Sequence, residues 1–171
     1  MGFFDRLFGQ SKRRTTTPQV IGKSLFIFAG RTIADISEDL QKDKLKIGSV
    51  QPAIYLRGRA ILNLFAVDFS VFLAYSDGPL KNAILDSFWL EHEGLQTEPE
   101  YAAFTKGCKE RCLQYQAAVR QGGDLFLEVG RVFASACGCP GDLYLAMAAG
   151  GYFGIMRRAV NDILHKFNVV V

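Results

Sequence analysis

Apolar residues recur at intervals of three and four along most of this chain, and that spacing predicts helices. Val20, Ile21, Leu25 and Phe28, then Ile33, Ile36 and Leu40, mark a first helix opening at Thr17-Pro18. Thr suits the N-cap and Pro the first helical position, where a missing N–H leaves no intrahelical bond unmade. Lys42, Lys44 and Lys46 suit the negative pole of that helix, and Gly48 is a natural stop. From Ile54 to Tyr75 the chain is apolar on nearly every side for about 22 residues without a turn, which predicts a central helix surrounded by others.

Asp77-Gly78-Pro79 interrupts the pattern, and a third helix is expected over 80–93 with Ile84, Leu85, Phe88 and Trp89 facing inward. Pro99 opens a fourth over 100–120, where Tyr101, Phe104, Cys108, Cys112, Tyr115 and Val119 fall three or four apart. Gly122-Gly123 ends it. Two segments then echo each other, Gly123-Asp124-Leu125-Phe126-Leu127 and Gly141-Asp142-Leu143-Tyr144-Leu145. Each reads as a Gly turn followed by an Asp that caps a helix. The last helix is expected to reach about Phe167, leaving an apolar terminus over 168–171.

The expected fold class is all-α: a single-domain bundle of about six helices over 18–171, behind an amphipathic tail and linker over 1–17. The competitor is an α+β fold with strands near 125–132 and 143–153. Ala146, Gly150 and Gly154 recur every four residues, which predicts close approach by another helix or a protomer interface in a homo-oligomer.

Composition narrows the functional classes. Fourteen Phe among 171 residues predict an aromatic core. A net charge of +3, with both signs interleaved, argues against a nucleic-acid partner. The first residues lack the continuous apolar stretch and small-residue cleavage site of a signal peptide. Together with cysteines that a chain of this length does not need as staples, this points to a cytoplasmic setting with free thiols. No run reaches the ~18 apolar residues of a membrane span; the nearest, 60–75 and 143–156, fit buried core helices better.

At helical spacing Phe3, Phe4, Leu7 and Phe8 fall within an arc of about 140°, with Asp5 and Arg6 opposite and Lys12, Arg13 and Arg14 following. So short a helix is unstable alone in water and needs a surface. A membrane interface would take the Phe and Leu side chains while the basic cluster meets anionic headgroups. A groove on a protein partner would take Phe4 and Phe8 as anchors, and the remaining alternatives are packing on the chain's own domain or simple disorder. The segment resembles the short Phe/Leu-rich membrane-targeting helices at the ends of some bacterial cytoskeletal and division proteins. Over its nine residues, that resemblance implies peripheral membrane contact.

Other candidates for chemistry are few. Cys108, Cys112, Cys137 and Cys139 could supply four thiolates to zinc, although free core thiols are the simpler reading. His92 and His165 lack the further carboxylates of a di-metal helical site and are expected to be solvated. Asp68, inside an apolar run, should either share a polar strip with Asn63 or pair with Arg31, Arg57 or Arg59. Arg157-Arg158 reads as solvated or partner-facing. No G-x-G-x-x-G, Walker, H-E-x-x-H or G-x-S-x-G signature occurs, and no cofactor is implied.

The function expected is therefore a non-enzymatic protein-interaction module of adaptor, inhibitor (immunity) or chaperone type. It would be tethered to a membrane surface or larger assembly through Phe3, Phe4, Leu7, Phe8, Lys12, Arg13 and Arg14. The alternative is a metal- or small-ligand-binding helical protein, enzymes included, built on the cysteines or Asp68.

Overall fold

The computed structural model describes residues 14–42, 47–94 and 99–169, with backbone alone over 99–104. It is an all-α helical bundle, 81% helical, with six helices and one minimal sheet. In chain order the elements are β1 (Arg14–Thr16), α1 (Pro18–Gln41), α2 (Pro52–Tyr75), α3 (Pro79–Glu93), α4 (Pro99–Gln121), α5 (Leu125–Ala136), α6 (Leu143–His165) and β2 (Phe167–Val169).

Two devices start the helices. Pro18, Pro52, Pro79 and Pro99 open α1 to α4, each in the first helical turn. Thr17 occupies the N-cap of α1 as expected, but its side chain makes no capping bond, so the proline and the extended Thr17 backbone define that start. Asp124 and Asp142 cap α5 and α6: their Oδ1 atoms accept from the N–H of Leu127 at 2.9 Å and of Leu145 at 2.8 Å. The sequence echo is thus two helix starts of the same chemistry, and the strands considered for 125–132 and 143–153 are helix.

The small sheet was not expected. Arg14–Thr16 lies parallel to Phe167–Val169, with Arg14 opposite Phe167 and the Arg14 N–H donating to the Lys166 carbonyl at 3.2 Å. Thr15 and Thr16 therefore belong to the domain rather than to a linker, and part of the apolar terminus is a strand.

α2 is the centre of the bundle and packs against the other five helices. It is long and apolar enough to cross a membrane, yet it lies mostly buried inside the bundle. Phe65 at its middle stacks on Phe69, Tyr115 and Phe153, with ring centres 5.7, 5.0 and 5.5 Å away. The closest helix pair is α5 against α6. A Cβ on Gly130 would strike the carbonyl of Ala146, and one on Gly150 the carbonyl of Phe126. Ala146, Gly150 and Gly154 therefore serve an approach within the chain: α5 backbone crosses the first two, and the Phe126 ring covers the third. Gly22 does the same where α1 crosses α3, with the Ile84 carbonyl and Ser87 Cβ each 2.7 Å from the position a Cβ would take.

Candidate functional site

Of the tail residues singled out above, Phe3, Phe4, Leu7, Phe8, Lys12 and Arg13 lie outside the described residues. Arg14 is described: its backbone is held in β1 and its side chain is exposed. The root of the tail is thus fixed beside the end of α6.

The cysteines are free. Cys108 and Cys137 are buried, Cys112 and Cys139 half-buried. Burial pushes the Cys108 thiol up to about 12, against a smaller pull from Arg57. It also pushes Cys112 up to about 12 and Cys137 to about 11. These groups hold their protons at neutral pH, the reverse of an activated nucleophile. Among the described residues no three of His, Cys, Asp and Glu are grouped as metal ligands would be.

Asp68 and Asn63 do not share a strip. Five residues apart on a helix, they point about 140° from each other. Asn63 turns into the core, where its Nδ2 donates to Thr32 Oγ1 at 2.7 Å and to the Ala29 carbonyl at 3.3 Å. Tyr152 Oη donates to Asn63 Oδ1 at 2.8 Å, which joins α1, α2 and α6 through one amide. Asp68 faces the other way, into a cleft of about 440 Å³ between α2, α3 and α4. Burial raises its pKa, opposed by Lys81 across the cleft. Lys81, rather than Arg31, Arg57 or Arg59, is the cation that acts on Asp68, and it is also bonded to Asp77 at 2.6 Å. Phe65, Phe69 and Phe72 form the apolar wall, and Gln116 and Arg120 reach the cleft from α4.

Arg59 is the residue the sequence did not single out on its own account. It is only 6% exposed, with its guanidinium carbon 3.1 Å from the centre of the Tyr152 ring and 5.5 Å from that of Tyr55. Burial lowers its pKa, and the groups acting on it are the hydroxyls of Tyr55, Tyr152 and Tyr115 and the Cys137 thiol. No carboxylate faces it among the described residues, and its Nε is buried without a hydrogen bond. Arg59, Asn63 and Ser70 lie within about 40° on one face of α2, so their spacing of four and seven was the available signal.

Two further expectations change. His92 is buried against Phe26 and Trp89, with ring centres 6.3 and 5.5 Å away, and burial lowers its pKa. His165 is exposed, as expected. Arg157 is half-buried over the Phe69 ring at 4.9 Å, while Arg158 points to solvent.

The segment 143–156, expected to be core, has one uncovered face. Tyr144 is 76% exposed, Met147 63% and Ile155 64%, and Leu143, Ala148 and Gly151 are exposed with them. At 100° per residue these six fall within an arc of about 140°, opposite Leu145, Ala149, Phe153 and Met156. No charged residue occurs in α6 before Arg157. Solvent-facing helix surfaces normally carry charge, so an exposed apolar face is the unusual feature of this helix. The exposed edge of Phe126 on α5 flanks it, above Gly154. The signal was present in the sequence as a run without charge, but a run of that kind reads equally as core.

The chain matches no protein-family model, no curated protein and no solved structure.

Proposed function

We propose that this chain is a non-enzymatic protein-interaction module. The exposed face of α6 is its docking surface, and the N-terminal segment tethers it to a membrane surface or larger assembly. One observation carries the reading: Tyr144, Met147 and Ile155 stand in solvent on a face of α6 that carries no charge before Arg157, while Leu145, Ala149, Phe153 and Met156 on the opposite face are sealed into the core. The pinning of Arg14 to the end of α6 supports the tether, because it holds the described end of the basic cluster at one place on the domain. Thiols that keep their protons, and an Asp68 answered by Lys81, favour this over the ligand-binding or enzymatic alternative.

The test uses two variants of the full chain. Removing residues 1–13 spares the Arg14 pairing and should leave the melting temperature unchanged while releasing the protein from membranes or its assembly. Met147→Glu with Ile155→Glu should leave folding intact and abolish complex formation. Wild-type behaviour from both variants would overturn the proposal.

A further inference from the structure

We infer that the partner for the α6 face is a second copy of this chain, docked antiparallel about a two-fold axis at Gly151. This inference rests on the reading of that face as an interaction surface and names its occupant.

Gly151 is the first argument. Glycine is unfavourable inside a helix, and here nothing in the protomer requires it: a Cβ at this position would meet no atom within 4 Å. Its neighbour Gly150, by contrast, lies directly under the Phe126 backbone. An exposed helical glycine with no use inside its own fold fits a site where another helix comes close.

The order of residues around Gly151 points to the same axis. In a two-fold antiparallel pair, positions equally far before and after the axis face each other. Met147 and Ile155, four residues to either side of Gly151, become an apolar pair that occurs twice. Tyr144 and Arg158, seven residues to either side, place a guanidinium against an aromatic ring, also twice. Both residues are exposed and at the ends of the face. The stripe therefore meets itself with apolar side chain against apolar side chain and cation against ring, as a two-fold interface requires. The face spans about 21 Å of helix from Tyr144 to Arg158. A strip of that length and one helix, about 10 Å, in width covers far less than the ~800 Å² per partner of a standard interface, so Leu143 and the edge of Phe126 extend it and the association is reversible.

The pairing also bears on the tether. A single short amphipathic segment binds a surface weakly, whereas two on one particle act together. The two tail roots would emerge beside opposite ends of the α6 pair.

Light scattering with size exclusion, over a concentration series of the full chain and of the form lacking residues 1–13, reads the oligomeric state. A concentration-dependent dimer in both forms is expected, with Met147→Glu/Ile155→Glu monomeric and unchanged in melting temperature. Gly151→Cys should form a disulfide-linked dimer with itself under mild oxidation, well beyond the wild type treated alike. Tyr144→Lys should weaken the dimer about tenfold by opposing Arg158, and Tyr144→Glu should preserve it. A monomer at every concentration, a dimer indifferent to these charges, or a dimer that appears only once residues 1–13 are removed would overturn the inference. The last result would give the face to the tail. If the chain stays monomeric and Met147→Glu/Ile155→Glu still loses a captured complex, the second copy is excluded and the docking surface stands.

Discussion

The guanidinium of Arg59 lies 3.1 Å from the centre of the Tyr152 ring, buried with no carboxylate facing it among the described residues. The charge is thus held by an aromatic face, and Tyr152 is itself held by its bond to Asn63. A buried cation on such terms is costly, and an apolar side chain of similar volume often does as well. Arg59→Met is expected to match or exceed the wild type in melting temperature. Tyr152→Ala should lose about 3 kcal/mol, since it removes ring packing and a hydrogen bond together. A double-mutant cycle by urea denaturation should give a coupling of about 1–2 kcal/mol. Zero coupling would mean that the stack contributes nothing.

Adjacent glycines on α6 should respond with opposite signs. Gly150→Ala drives a methyl into the Phe126 backbone and is expected to cost about 1–3 kcal/mol or more. Gly151→Ala meets open space and should stabilise the isolated protomer by up to about 1 kcal/mol. Urea midpoints measured at concentrations below self-association compare the two.

His92 and Asp68 should give stability two opposing dependences on pH. Burial lowers the pKa of His92, so between its folded value and its ordinary 6.5 the unfolded chain binds the extra proton. Its contribution is complete above about pH 6.5 and lost as pH falls through that window. His92→Phe should flatten the loss. Asp68 is raised from its ordinary 3.8 by burial, so its contribution is present in acid and lost as pH rises through the folded value. Asp68→Asn should therefore be more stable than the wild type at neutral pH and converge with it in acid. Melting curves from about pH 4 to about pH 8 test both signs.

The thiols should report their burial. With Cys108 and Cys112 pushed up to about 12 and Cys137 to about 11, the native protein should react slowly with a thiol reagent at mildly alkaline pH. The half-buried Cys139 is expected to be labelled first, and all four after unfolding. Peptide mapping of the labelled protein gives the order. Prompt labelling of Cys108 in the native state would contradict it.

Much of the architecture was legible in the chain, because local chemistry decides where helices begin. Prolines at the starts of α1 to α4, and the Asp caps of α5 and α6, act within one turn of themselves. The unbroken apolar run of α2 could only be satisfied by neighbours on all sides. The Ala146, Gly150 and Gly154 stripe likewise pointed to close approach by another helix, without saying whether it belonged to the same chain.

What the chain could not reveal is which side of each helix finds a partner, since that depends on residues far away in sequence. Asn63 and Asp68 sit five positions apart, yet one bonds to α1 and α6 while the other faces Lys81 on α3. His92 looked solvated at a helix end until α1 brought Phe26 over it. The uncharged run 143–156 was apolar enough for core, but α5 and α2 pack only one side of it and leave Tyr144, Met147 and Ile155 in water. Sequence by itself determined the helices and their starts, because hydrogen bonds and caps are short-range. Tertiary structure alone decided burial, charge pairing and the open face, because those follow from which surfaces the packing brings together.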